Sequence, residues 1–252
     1  MEWRISAVSF DYKESKKRVY DILNSKTKIE HKDQVPSNDK EFTYENGIKT
    51  WVGAVFLDIK DSTTLFKNYD DEKLARILRA YFSEIVSILR DNSNYRQIGI
   101  RGDCVYAIYS VTNKDDIEEI LSDAILVNTF NKMFQKILTN ARYVNFQIGI
   151  GLGLSETLIV KTGQKHSGIN DNVWIGDSVV DASKLSSQGN RDNFETIVMD
   201  EVFFNNVKDY NANANYKYSH YISSKYSYKT RSTVYQCEMI NIEFNDWING
   251  GM

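Results

Sequence analysis

An unbroken apolar run, WVGAVFLDI at residues 51–59, constrains the fold of this chain more than any other segment. Its length and its branched and aromatic residues are those of a buried central strand, which ends at the carboxylate of Asp58. Two later segments, 74–89 and 117–137, have apolar residues at spacings of three and four, which predicts amphipathic helices. The chain is therefore expected to form a sheet with helices packed on it.

The remaining elements extend this pattern. The residues around the turn 101–103 predict a hairpin of two short strands, and VNFQIGIGLGL at 144–154 predicts another strand. A short helix at 176–187, a strand at 196–200 and a last strand within 232–240 follow. The order strand, helix, strand, strand, helix, strand favours an α+β sandwich of the ferredoxin-like type.

Composition divides the chain into three parts. Residues 1–49 are polar and contain the only proline, so they predict a lead-in with at most one short helix. Residues 50–240 are expected to form the main domain, including a Tyr-rich arm near 203–228 that serves as a packed arm or a dimer contact. Residues 241–252 are expected to be a C-terminal tail.

Charge and hydropathy exclude several classes of protein. The net charge of −3 supplies no general positive field for nucleic acid, and no nucleic-acid partner is expected. No apolar run approaches the roughly 18 to 20 residues that span a bilayer, and the N-terminus lacks a signal-peptide core. We therefore expect a cytoplasmic protein without direct membrane insertion. Cys104 and Cys237 have neither zinc-site nor redox-motif spacing and are expected to be reduced.

The common catalytic motifs that we sought are absent or incomplete in this sequence. The histidines have no zinc-site spacing, which argues against a zinc enzyme or a Ser/His hydrolase. Gly163 and Gly168 have the spacing of a phosphate loop, but Ile169 and Asn170 replace its Lys and Ser/Thr. The glycines at 149–153 lie inside an apolar strand, where a dinucleotide-binding turn is not expected.

Two carboxylates carry a stronger chemical signal. Asp58 ends the central strand and Asp103 lies in the hairpin turn. Carboxylates brought together on adjacent strands suit a two-metal phosphoryl-transfer site, because hard cations prefer oxygen ligands. The residues from Ser62 to Thr64, at the start of a predicted helix, would offer free N–H groups to a triphosphate. For either aspartate alone, a turn or helix cap is the alternative.

Three blocks, VFLDIKDSTTL, IGIRGDCVYAI and VWIGDSVVDASKL, resemble the catalytic domain of class III nucleotide cyclases over roughly residues 50–240. QIGIGLG falls where that family has its glycine-containing central strand. The resemblance implies a central, mostly antiparallel sheet and a head-to-tail homodimer with shared active sites. It further implies that Asp58 and Asp103 hold two divalent cations, Mg²⁺ or Mn²⁺, with the Ile59 carbonyl as an additional ligand.

The resemblance also assigns phosphate contacts. Ser62, Thr63 and Thr64 are implied to surround the phosphates of a nucleoside triphosphate. Lys229 and Arg231 precede the last strand, where the family places a phosphate-binding lysine, although a surface charge is the alternative for both.

Several positions depart from the family pattern. The adenine-selecting lysine and aspartate fall on Gly99 and Val173, which cannot make those hydrogen bonds, so an ordinary adenylate cyclase is not expected. The ribose-orienting asparagine falls on Val180. The transition-state arginine falls on Lys184, which keeps the positive charge but loses the bidentate fork.

These departures, with the IGDSVVDASKL block, look most like the bacterial pyrimidine cyclases of the Pycsar antiphage systems. That likeness implies UTP, or less often CTP, as substrate, and a cyclic nucleotide signal to a separate effector. Arg96 and Arg101 are nearby donors for a base carbonyl, with solvated strand-end charges as the alternative.

The expected reaction converts UTP to 3',5'-cyclic UMP and pyrophosphate. Cyclic CMP or cyclic AMP synthesis stays open, as does a non-catalytic nucleotide-binding pseudocyclase, because Val180 and Lys184 replace two catalytic groups of the family. A palm-type polymerase is disfavoured by the lack of a basic track for a template strand.

Overall fold

A computed structural model describes residues 10–67, 69–165, 167–213 and 215–252, with the side chains of 64–66 and 211–213 excepted. The helices in these ranges are α1 (Tyr12–Leu23), α2 (Ser62–Lys67), α3 (Asp71–Asp91), α4 (Lys114–Asn140), α5 (Asp177–Ser186), α6 (Glu201–Val207) and α7 (Ile242–Asn249). None of these described helices combines the length and the apolarity needed to cross a bilayer.

The strands of the described ranges are β1 (Lys28–His31), β2 (Asn46–Ile59), β3 (Tyr95–Arg101), β4 (Cys104–Ser110), β5 (Ile148–Gly163), β6 (Asn170–Ile175), β7 (Ile197–Met199), β8 (Asn211–Asn213), β9 (Tyr216–Lys217), β10 (Ser223–Ser227) and β11 (Ser232–Cys237). Nine of them form one mixed sheet in the order β10-β11-β7-β5-β2-β4-β3, with β1 beside β2 and β6 beside β5. β8 and β9 form a separate ribbon.

The predicted central strand is the centre of this sheet. β2 pairs antiparallel with β4 on one side and with β5 on the other. Its residues alternate between two packed faces: Val55, Leu57 and Ile59 lie in the core beneath α3 and α4, while Val52 and Ala54 lie in a smaller core on the opposite face. Because both faces are covered, the apolar run shows no polar alternation. The predicted α+β sandwich with a mostly antiparallel sheet is confirmed.

The glycines of β5 bring α5 directly onto the sheet. Gly149, Gly151 and Gly153, which we call the glycine stripe, occupy alternate positions and therefore share one face. A Cβ atom built on Gly151 would lie 1.9 Å from the carbonyl oxygen of Ala182 in α5, and the two other glycines meet α5 equally closely. The stripe thus has a packing role, because only glycine leaves room for backbone against backbone at this distance.

The second half of the expected lead-in differs from the prediction. Within the described residues of this segment, α1 is an α-helix and residues 39–41 form a 3-10 turn, but β1 joins the sheet in parallel with the start of β2. Val35 and Phe42 are buried in the smaller core. β2 already begins at Asn46, so the boundary predicted after residue 49 falls inside a strand. Two isolated apolar residues in a polar segment carry no periodic signal, which is why the sequence did not predict their burial.

The C-terminal residues also form more structure than a tail. α7 packs Phe244 against the main core and buries Ile248. Within the described part of the Tyr-rich arm, the Tyr218 hydroxyl donates to Glu118 Oε1 of α4 at 2.6 Å, whereas Tyr228 is exposed. The arm is therefore partly a packed element, anchored on α4.

Gly151→Ala tests the stripe. We expect the new methyl group to force α5 away from β5 and to lower the free energy of unfolding by about 3 kcal/mol or more. Urea unfolding followed by circular dichroism measures the change. Gly250→Ala is the matched control, because its Cβ atom would lie 3.3 Å from the nearest heavy atom, Asp246 O, and its backbone already has a φ of −70°. Equal stability of the two variants would contradict a packing role for the stripe.

Candidate active site

The two predicted carboxylates lie together at one end of the sheet. Asp58 pairs with Cys104 across the β2–β4 ladder, and Asp103 immediately precedes Cys104. Gly102 has a φ of 61°, the left-handed conformation that a two-residue hairpin turn needs at its first position. This tight turn brings Asp103 close enough for its charge to raise the pKa of Asp58.

The pKa of Asp58 shows the electrostatic balance of the site. Burial raises it above the ordinary value for aspartate and is the largest effect, with the charge of Asp103 acting in the same direction. Arg191 and Lys229 oppose this rise with their positive charges. Asp58 is therefore a partly desolvated carboxylate with a second carboxylate beside it, an arrangement that attracts cations.

A guanidinium group already contacts the oxygens predicted to hold a metal. Arg191 Nη2 donates to Asp58 Oδ2 at 2.9 Å and to the Ile59 carbonyl oxygen at 3.2 Å. Arg191 and Asp58 have equal side-chain exposures of 23%. A carboxylate and a carbonyl that together accept from one cation form a donor set suited to a hard divalent ion. In the described ranges, no cluster of three or more His, Cys, Asp or Glu side chains gathers as a metal site.

The predicted phosphate contacts lie in two segments, the start of α2 and the turn between β10 and β11. Ser62 begins α2 just after β2, with Thr63 exposed beside it, while the side chain of Thr64 lies outside the described residues. Lys229 Nζ donates to the carbonyl and hydroxyl oxygens of Ser187, at 3.0 and 2.7 Å. Arg231 is exposed in the β10–β11 turn, where its φ is 57°.

The two predicted residues of α5 lie one turn apart and are both exposed. Val180 has 47% of its surface exposed. Lys184 Nζ lies 3.7 Å from Asp181 Oδ1 on the same helix. Within one chain, the Lys184 ammonium therefore pairs with its own helix and not with Asp58 or Asp103.

The position predicted to select the base is covered by an aromatic ring. Gly99 pairs with Tyr106 across the β3–β4 ladder. A Cβ atom on Gly99 would lie 2.4 Å from Tyr106 Cε1, so the ring crosses directly over the glycine. The ring also stacks on Phe56, with centroids 5.3 Å apart and planes 17° apart. A lysine at position 99 and the tyrosine ring could not occupy this volume together.

Next to this ring lies a polar contact that the sequence did not predict. The indole N–H of Trp174 donates to Gln97 Oε1, and Gln97 Nε2 lies 3.4 Å from the Tyr106 hydroxyl. Residues two apart on β3 share a face, which places Gln97 beside Gly99. In the sequence, the signal for this arrangement is a glycine, Gly99, in the same hairpin as the aromatic Tyr106. Only the β3–β4 register shows that the two residues lie opposite each other.

The other predicted base-pocket residues lie apart from this ring. Val173 pairs with Val160, whereas its neighbour Trp174 pairs with Ile159 and therefore faces the opposite side of the sheet. Arg101 is exposed at the end of β3. Arg96 Nε donates to the Val35 carbonyl at 3.0 Å, so it ties the N-terminal segment to β3.

Comparisons with known proteins point to one family. The profile of the adenylate and guanylate cyclase catalytic domain matches residues 45–217. A uridylate cyclase of Treponema porcinum is 38% identical over 245 residues, which cover 97% of this chain and 83% of that protein. A uridylate cyclase of Gulbenkiania mobilis is 32% identical over 260 residues, covering 97% and 98%.

Solved structures agree on the fold. The adenylyl cyclase CyaB from P. aeruginosa matches with a TM-score of 0.61 and 20% identity, over 76% of this chain and 95% of that one. The guanylate cyclase domain of RhGC from Catenaria anguillulae matches with a TM-score of 0.57 and 15% identity, over 76% and 97%. At these identities the likeness concerns the fold alone.

Proposed function

This chain belongs to the family of adenylate and guanylate cyclase catalytic domains, and we propose that it converts UTP to 3',5'-cyclic UMP and pyrophosphate. The ribose 3'-hydroxyl loses its proton, its oxygen forms a bond to the α-phosphorus, and pyrophosphate leaves with the electron pair of the P–O bond that breaks. Two relatives that match almost the whole chain are uridylate cyclases, which supports the choice of a pyrimidine.

The observation that carries the pyrimidine assignment is the Tyr106 ring over Gly99. The ring narrows the place where the family pattern puts an adenine-selecting lysine, and a pyrimidine is smaller than a purine. The Gln97 amide, whose oxygen accepts from Trp174 and whose Nε2 lies 3.4 Å from the Tyr106 hydroxyl, would present both a donor and an acceptor to a base edge that displaces these contacts. A purine in this space would meet the ring and leave polar groups unmatched, which rejects a wrong base strongly.

The residues present fit the two divalent cations, Mg²⁺ or Mn²⁺, that the resemblance implies. Asp58, Asp103 and the Ile59 carbonyl would hold them, and the guanidinium that already contacts two of these groups shows their attraction for a cation. When bound, such ions lower the pKa of the attacking hydroxyl and neutralise the triphosphate.

The chain's own residues bind and orient the triphosphate. Ser62 and Thr63, at the start of α2, offer backbone N–H groups to its oxygens. Lys229, whose positive charge acts to lower the pKa of Asp58, adds a cation for the phosphates. Lys184 balances the charge that builds on the α-phosphoryl oxygens during the displacement.

Lys184 would act from a second copy of the chain, in a head-to-tail homodimer. Ile169, Val173 and Ile175 of the β5–β6 region and Val180 of α5 are all exposed and apolar. Association of two copies through these segments would bury such exposed apolar side chains. The pairing of Lys184 with Asp181 within one chain also leaves the site without a transition-state cation from α5 until the copies associate.

The resemblance to the Pycsar cyclases supports a further role for the product. We propose that cyclic UMP acts as a second messenger in antiphage defence and is read by a separate effector. A non-catalytic nucleotide-binding protein is the second candidate function, and the replacement of family catalytic groups by Val180 and Lys184 favours it.

A product assay tests the reaction. We expect the purified chain with Mn²⁺ to form cyclic UMP from UTP, and far less cyclic nucleotide from CTP, ATP or GTP, as identified by mass spectrometry. Asp58→Asn and Asp103→Asn should each lower the rate by about 100-fold or more, because each removes a charge from the metal ligands. Cyclic AMP as the main product would overturn the pyrimidine assignment, and nucleotide binding without any product would favour the non-catalytic candidate.

Tyr106→Ala tests the base assignment separately. Removal of the ring should admit a purine and raise kcat/KM for ATP relative to UTP by about tenfold. Tyr106→Phe is the matched control, since it keeps the ring and should keep the preference for UTP. An unchanged ratio in Tyr106→Ala would show that the ring does not select the base.

Mixing inactive variants tests the shared site. An equal mixture of Asp58→Ala and Lys184→Ala chains should regain about a quarter of the wild-type rate, because half of the dimers then contain one intact site. Asp58→Ala mixed with Asp103→Ala should stay inactive, since both changes fall in the same half of each site. Rates no higher in the first mixture than in the second would argue against a shared site.

A further inference from the structure

Arg191 holds an unusual position at the candidate active site. It lies in the turn between α5 and β7, 133 residues after Asp58. Its Nη2 group donates to Asp58 Oδ2 and to the Ile59 carbonyl, and its Nη1 group lies 3.4 Å from the Gly189 carbonyl oxygen. The guanidinium thus satisfies the two groups on β2 that the proposed function assigns to a divalent cation.

The turn that carries Arg191 is held by side-chain hydrogen bonds to backbone carbonyl groups. Asn190 and Asp192, on either side of it, have φ values of 57° and 51°, in the left-handed region. The Asn190 amide donates to the Ile148 carbonyl at 2.7 Å. Lys225 Nζ donates to the carbonyl of Asp192 at 2.9 Å and to that of Asn193 at 2.8 Å. With the backbone held from two sides, displacement of the guanidinium requires mainly a change of the Arg191 side chain.

We propose that Arg191 is a resident cation of the metal site, which must leave Asp58 and Ile59 before a divalent cation binds there. The inference rests on the proposed function, because it takes these groups as metal ligands. A guanidinium and a divalent cation repel each other and compete for the same lone pairs, so they exclude each other from these oxygens. Arg191 therefore weakens metal binding to the free enzyme and keeps the half-buried Asp58 carboxylate compensated until the metal arrives.

The Kd for Mn²⁺ in the absence of nucleotide tests the competition directly. Electron paramagnetic resonance of free Mn²⁺ measures it for the full chain and its variants. We expect Arg191→Gln to bind Mn²⁺ about tenfold more tightly, because the metal no longer displaces a charge-assisted hydrogen bond. Arg76→Gln is the matched control for loss of one positive charge, because Arg76 pairs with Glu72 on the exposed surface of α3. Its Kd should equal that of the wild type.

The outcomes separate this inference from the proposed function. Equal or weaker Mn²⁺ binding by Arg191→Gln overturns the role of Arg191, while cyclic UMP formation by the wild type leaves the function standing. Asp58→Asn should lose Mn²⁺ binding. If it binds Mn²⁺ as the wild type does, the metal assignment itself fails, and the inference fails with it.

A measurement on the wild type does not depend on the folding of any variant. Phenylglyoxal modifies free guanidinium groups, and peptide mass spectrometry reports the extent at each arginine. We expect Mn²⁺ to increase modification of Arg191 several-fold, because the group leaves its two acceptors, while Arg76 stays unchanged. Modification of Arg191 that is unaltered or reduced by saturating Mn²⁺ overturns the proposal.

Discussion

The contact between the glycine stripe of β5 and the backbone of α5 is the constraint on which the site depends. It sets α5 on the sheet at backbone distance, and Gly189, just after the helix, would clash with the Gly149 backbone if it carried a Cβ atom. These close approaches fix where the turn containing Arg191 emerges, and they also fix the exposed positions of Val180 and Lys184. A pattern that resembles a nucleotide-binding glycine motif therefore serves packing, and it affects the chemistry only through position.

At the candidate site, the charges of Arg191 and Lys229 compensate those of Asp58 and Asp103. Partial burial raises the pKa of Asp58, the neighbouring Asp103 carboxylate adds to that rise, and two cations from distant segments oppose it. The positive charges of Arg191 and Lys229 favour the ionised form of Asp58, whereas burial and the charge of Asp103 favour the protonated form. In the free chain, Arg191 supplies part of this compensation.

Much of the fold could be predicted because strong local patterns agreed with tertiary packing. The apolar run of β2, the periodicity of α3 and α4 and the hairpin at Gly102 all appear where the sequence indicated. Residues 28–49 and α7 were underestimated. Their contributions to the core come from a few apolar side chains among polar ones, and only the neighbouring elements give those side chains a place to be buried.

The sequence by itself was enough to predict the two carboxylates of the candidate site, because Asp58 ends a strand and Asp103 lies in a turn, each in its own local pattern. Only the tertiary structure decided what surrounds them. Tyr106 covers Gly99 because the register of the β3–β4 ladder places them opposite each other. Arg191 reaches Asp58 across 133 residues because the turn after α5 comes back to the end of β2. Contacts between distant segments follow from packing and register, and no local pattern encodes them.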